Sequence, residues 1–294
     1  MKVLKEGLYT GERALYNQHD VKIEECVFED GESPLKECSN LDIQNSIFRW
    51  KYPLWYSHDV KVENSTLLDT ARSGIWYTYN LEMNDCMIEA PKTFRRAHHV
   101  TLNNCTIPNA EETFWNCHDI QINHVSATGN YFGFNCENVE VNHLLLTGNY
   151  CFDGAKNVVV RNSKLNSKDS FWNCENVEIY DSYIIGEYLA WNSKNVKFVN
   201  CIIESEQGLC YLDNVELINC KLIHTNLCFE LCSNIKADIT THIDSVKNPI
   251  SGTITCPSIG ELILDEHIID PSKTSIHCNQ IDKHSDHDIE CHYE

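Results

Sequence analysis

Five of the six tryptophans, Trp55, Trp76, Trp115, Trp172 and Trp191, fall at one position of a recurring sequence phrase. Tyr16, Lys36, Arg95, Phe134, Asp153, Cys210 and Glu230 occupy that position in the other copies. An exposed line of large aromatics is unusual and marks a binding surface. Flat indole faces suit the apolar face of a sugar ring, and a line of them suits an extended chain. Basic residues cluster beside the line: Arg49 and Lys51 before Trp55, Arg72 before Trp76, then Lys92, Arg95 and Arg96. Arg and Lys clamp carboxylate and phosphate oxygens, so the expected ligand is an extended or anionic saccharide. The candidate binding residues are Lys51, Trp55, Trp76, Lys92, Arg96, Trp115, Trp172 and Trp191.

Acids and hydroxyls follow on the same face: Glu111, Glu112, Asp153 and Asp169, with Tyr52, Tyr131, Tyr150 and Tyr188. Glycoside hydrolysis uses two carboxylates about 5 to 9.5 Å apart. β-Elimination uses a base beside a neutralised uronate. Arg72, Arg95, Asp153 and Asp169 are the candidate catalytic residues, with Lys92 as another base. Three bland readings compete. Loops fold over the rings, a second subunit covers them, or acids such as Glu63, Glu82, Glu111 and Glu112 neutralise the basic patch.

The element that must position these residues is a repeat of 19 to 21 residues. Taking Val196 as the register position, its equivalents are Val21, Leu41, Val60, Leu81, Val100, Ile120, Val139, Val158, Val177, Val215 and Ile235. Two residues on, the column is apolar again, from Ile23 to Leu217, ending at Ala237. That is strand alternation. Further apolar columns lie seven residues after the register position (Phe28 to Leu222) and six before it (Leu15 to Phe229). One repeat cannot bury such faces alone, but stacked coils can, each strand pairing with its copies above and below. The expected fold is all-β: a single-stranded right-handed parallel β-helix of about 12 to 13 coils, with 19 to 20 residues each. The tryptophan position directly follows an inward residue, so alternation turns it to solvent.

The residue before the register position is Asn40, Asn80, Asn138, Asn157, Asn176, Asn195, Asn214 or Asn234, with Asp20, Asp59, His99 and Asp119 elsewhere. Asn tolerates the left-handed backbone of a tight corner, and stacked amides bond one another. The column predicts an asparagine ladder. Ten of the sixteen cysteines share two columns, one with Cys26, Cys86, Cys105, Cys201 and Cys220, the other with Cys38, Cys117, Cys136, Cys174 and Cys232. Ser and Ala replace them in other copies, so a small inward residue is what the position needs.

The phrase N-V-x-(I/F)-x-N-C-x-I, over residues 12 to 265, resembles the right-handed parallel β-helix proteins of the pectate-lyase type. Gly11-Glu12-Arg13-Ala14-Leu15, Phe94-Arg95-Arg96 and Ile259-Gly260-Glu261-Leu262-Ile263 are similar to a bacterial β-helix family with no assigned function, which brings no activity with it. The pectin hydrolases of this fold carry N-T-D, D-D, G-H-G and R-x-K phrases, of which Arg49-Trp50-Lys51 matches the last alone. The lyase phrase R-x-P-x-x-R is absent. The familiar pectin chemistries are therefore not expected.

A formal charge of −20 argues against nucleic acid and anionic membranes as partners. The first residues turn polar at once, which predicts a cytoplasmic protein with reduced cysteines. The expected organisation is an N-terminal cap over 1–18, the β-helix over 19–265, and a C-terminal tail or cap over 266–294. No cofactor is expected. His277, Cys278, His284, His287, Cys291 and His292 match no standard zinc spacing. The function expected is binding of, or action on, an extended or anionic saccharide. The alternative is a non-enzymatic scaffold whose aromatic face is a protein–protein or homo-oligomer interface.

Overall fold

A computed structural model describes residues 1–286. The chain divides into two compact units, Met1–Val158 and Val159–Glu294. Both are built from short parallel strands stacked in register, and the architecture is a parallel β-helix of about 15 turns.

In the first unit the strand His19–Glu24 pairs with Ser39–Gln44, which pairs with His58–Glu63 and onward to Tyr79–Asn84, His98–Asn103, His118–Thr128 and Glu137–Thr147. The partners are the expected ones: Val21 over Leu41, Leu41 over Val60, Leu81 over Val100. The second unit repeats the plan, with Val177 over Val196 over Val215 over Ile235. Register and alternate positions are buried almost without exception, and like side chains eclipse. Phe28 and Phe48 stack at 4.7 Å, Phe94 and Phe114 at 4.4 Å. Each such buried side chain contributes on the order of 1.5–3 kcal/mol.

The coil number exceeds the expected 12 to 13 because three coils carry no legible register residue. Lys2–Lys5 and Leu8–Tyr9 already pair with the first repeat, Lys2 lying over Val21. Gly252–Thr255 and Thr274–His277 add coils after Ile235, with Ile235 over Gly252 and Gly252 over Thr274. The segment beginning at 266 thus contributes strands Thr274–His277 and Gln280–Ser285.

The corners are made by left-handed residues. Asn40, Asn80, Asn138, Asn195 and Asn214 all have φ between 51° and 62°. The expected ladder is present: Asn157 donates to Asn138 at 3.0 Å, Asn195 to Asn176 at 2.9 Å, and Asn214 to Asn195 at 2.8 Å. A second ladder runs four residues after the register position, with Asn219 donating to Asn200 and Asn200 to Asp181.

The cysteine columns also have a bonding role. Cys105 Sγ donates to Asn103 O and Met83 O at 3.4 and 3.5 Å. Where Ser replaces Cys, Ser46 Oγ makes the same bond to Gln44 O at 2.8 Å and accepts Cys26 N–H from the preceding coil. The position needs a small donor that ties a corner carbonyl, which is why Cys and Ser interchange. All described cysteines are unbridged, and all but Cys278 are buried. No described helix is long and apolar enough to cross a membrane.

One glycine stands where the other coils carry an apolar side chain. Gly133 stands in the fourth apolar column at φ +82°, and a Cβ there would lie 2.5 Å from the Phe152 ring. Phe132 fills the space from the adjacent position.

Candidate functional site

The aromatic column of the first unit runs Trp55, Trp76, Arg95, Trp115, Phe134, Asp153. Backbone pairing sets the order: Arg95 bridges both Trp76 and Trp115. The side chains point out of the core, as alternation requires, but they do not stand with their faces to solvent. The Trp55 and Trp76 rings stack at 5.3 Å with planes 11° apart. The Arg95 guanidinium lies between Trp76 and Trp115, 4.6 and 4.8 Å from their centres. In the second unit Trp172 and Trp191 stack at 5.7 Å and 9°.

Each stacked indole is anchored by its N–H. Trp55 donates to Ser73 O at 2.6 Å and Trp76 to Lys92 O at 2.9 Å. Trp172 donates to Tyr188 O at 2.8 Å and Trp191 to Gln207 O at 2.9 Å. In every case the acceptor is a left-handed corner residue on the next coil. The rings therefore lie across the coil direction, half-buried, with their faces covered by one another. The expectation of open flat faces is corrected: alternation fixes the side of the strand, and the corner carbonyl fixes the tilt of the ring.

A second stack lies beside the first. Tyr56 and Tyr77 are parallel at 4.8 Å and 4°. Lys36 Nζ sits 5.5 Å from the Tyr56 ring, and Arg96 lies 5.8 Å from the Tyr77 ring. Tyr56 is 46% exposed and Arg96 is exposed. These tyrosines were missed in the sequence, although each follows a tryptophan of the column directly.

The basic patch is partly neutralised. Glu112 takes Lys92 at 3.0 Å and Arg95 at 3.1 Å. Arg95 Nε is buried without a hydrogen-bond partner. Glu32 takes Lys51 at 3.3 Å, and Glu29 takes Arg49 at 2.9 Å. Arg72 and Arg96 stay exposed. On the same face the Tyr16 hydroxyl donates to Glu37 at 2.6 Å and holds that carboxyl below its ordinary value.

Of the candidate catalytic residues, Arg95 and Asp153 are kept apart. The bonds Arg96 N to Trp115 O, Asn116 N to Phe134 O and Asn135 N to Asp153 O count three coils from Arg95 to Asp153, about 14 Å at the inter-strand spacing. Asp153 and Asp169 fall in different units. Asp169 is buried at a left-handed corner. Among the described residues no three His, Cys, Asp or Glu side chains are grouped to hold a metal ion. His287, Cys291 and His292 lie outside the described residues.

No curated protein matches the sequence. Solved structures with a similar trace include PfbA, a surface adhesin of Streptococcus pneumoniae (10% identity, 82% of this chain and 77% of that one, TM-score 0.41). The mannuronan C-5 epimerase A-module of Azotobacter vinelandii is 10% identical over 96% of this chain and 87% of that one, with a TM-score of 0.26. An exopolygalacturonase from Thermotoga maritima is 9% identical over 96% and 83%, with a TM-score of 0.29. Likenesses at this level carry nothing about activity. The model of one family matches residues 2–277, and the chain belongs to that family, described as a protein of unknown function (DUF3737).

Proposed function

We propose that this protein is a non-catalytic binding protein that holds an extended, anionic saccharide against the aromatic–basic face of its first unit. The supporting observation is the double stack of rings and cations: Tyr56 and Tyr77 capped by Lys36 and Arg96 outside, and Trp55, Trp76 and Trp115 with Arg95 in the last gap inside. Stacked rings turn their edges outward, and an aromatic edge is the positive part of the quadrupole. Edges and guanidinium groups together favour carboxylate and hydroxyl oxygens over the apolar face of a sugar. The separation of Arg95 from Asp153 argues against chemistry at this face.

Affinity electrophoresis tests this directly. Retardation is expected in gels containing polygalacturonate and not in gels containing dextran. Replacing Arg72 and Arg96 together by Ala should weaken retardation roughly tenfold, the loss expected when two charge-assisted contacts go. Equal retardation by dextran, or none by either polymer, overturns the reading.

A second reading is favoured by the exposure of Tyr16 and Tyr56, 39% and 46% on this face. These rings fit a protein–protein or homo-oligomer interface. Light scattering of the wild type against Tyr56→Ser separates the two, since loss of an oligomer without any polymer binding supports the interface.

A further inference from the structure

The first cysteine column does not stop at Cys220. Cys220 lies over Ile239, and the pairing of Asp238 with Thr255 and of Thr255 with His277 places Cys256 and then Cys278 on the same column. Cys256 N donates to His277 O at 3.0 Å, which sets the two cysteines on neighbouring coils in direct succession. Their Cα atoms are then about 4.8 Å apart, inside the range a disulfide spans.

Other cysteines stack in the same way, among them Cys86 with Cys105, Cys117 with Cys136, and Cys201 with Cys220. Those six are exposed by 3% or less. Cys256 and Cys278 differ. Both line a surface hollow with Pro257 and His277, and Cys278 is the one described cysteine that is not buried. Cys256 is 5% exposed. Attack on a disulfide needs access to the attacking thiol, and this pair offers it.

We propose that Cys256 and Cys278 form a redox-active dithiol that is oxidised by low-molecular-weight disulfides to a cross-coil disulfide. The Cys278 thiolate attacks one sulfur of the small disulfide and expels the first small thiolate. The Cys256 thiolate then attacks the Cys278 sulfur of the mixed disulfide and expels the second. Two protein thiols and one small disulfide become one protein disulfide and two small thiols, so the two thiol protons end on the released thiols. The product ties the coil carrying Thr274–His277 to the coil carrying Gly252–Thr255 and closes a loop of about 20 residues.

The full chain is incubated with oxidised glutathione, its remaining thiols are blocked with N-ethylmaleimide, and it is digested and mapped by mass spectrometry. The expected product is a peptide pair joined through Cys256 and Cys278, lighter by two hydrogens than the reduced pair. It should form unchanged in Cys291→Ser and not in Cys278→Ser. The oxidised protein should melt several degrees higher than the reduced one. A lasting glutathione adduct on Cys278 with Cys256 free overturns the proposal. So does a Cys278–Cys291 link, or no reaction at Cys278.

Discussion

The guanidinium carbon of Arg95 lies 4.6 Å from the centre of the Trp76 ring, and the group lies between that ring and Trp115. A planar cation suits this slot in a way an ammonium does not. Arg95→Ala should destabilise the protein by about 1–2 kcal/mol, from a half-desolvated cation–π pair and lost stem packing. Arg95→Lys should recover less than half of that. Urea melts read both losses, and a Lys variant equal to the wild type would show that charge, not planar stacking, holds the slot.

Glu112 neutralises two cations of the same face, Lys92 and Arg95. Glu112→Gln removes that charge while keeping the shape. Its stability cost should be about 1 kcal/mol, the scale of a partly exposed ion pair. Retardation by polygalacturonate should increase in the same variant, because two cations become available to the polymer. Unchanged retardation alongside the stability loss would mean that the polymer does not reach the inner stack.

Asn195 carries two loads at once. It has φ 55°, and it sits in the ladder between Asn176 and Asn214. Asn195→Ala forfeits the amide bonds and pays the left-handed strain, about 1–2 kcal/mol for the backbone term alone. Asn195→Gly forfeits the bonds but relieves the strain. The Gly variant should therefore melt above the Ala variant, and the reverse order would show that the backbone term is not what selects Asn here.

Much of the fold was legible because the side-chain period of a strand is two, so counting from Val196 separates core from surface in every regular coil. The corner that orients the tryptophans was not legible. It is made by Tyr52, Ser73, Lys92, Glu112, Tyr131 and Tyr150, all with φ between 49° and 63°. Three are tyrosines, but Ser73, Lys92 and Glu112 show that no single side-chain type marks the position. Their conformation is imposed by the backbone bonds between coils, such as Lys92 N to Glu111 O at 2.8 Å, and no residue preference announces it. The ring tilt depends on those carbonyls, so the outward side of the aromatic column was legible in the sequence and the orientation of its rings was not. The first and last coils, outside the expected 19–265, were missed for a simpler reason. Lys2 and Thr274 stand where an apolar residue marks the regular coils.

The cysteine columns give a substitution test. Cys105 donates to two carbonyls that a serine hydroxyl would also reach, as Ser46 does with Gln44. Cys105→Ser should cost less than about 1 kcal/mol, because the buried hydroxyl stays bonded. Cys105→Leu should cost more than about 2 kcal/mol through overpacking at the corner. If Ser proved worse than Leu, the position would be selecting apolar volume instead of a small donor.

His98 gives the protein a pH-dependent term. Its ring stacks between Tyr79 and His118 at 4.7 and 4.8 Å. Burial is the main influence that lowers its pKa below the ordinary 6.5, followed by His118 and His99, while Asp119 acts in the opposite sense. The folded state therefore binds fewer protons at His98 than the unfolded state between the lowered value and 6.5. Stability must rise with pH across that window and fall as pH drops through it. The difference in melting temperature between the wild type and His98→Gln should change between pH 7.5 and pH 5, with the wild type losing ground on acidification. A difference constant with pH would mean that neighbouring acids, Asp119 and Glu137, compensate the charge on the stack.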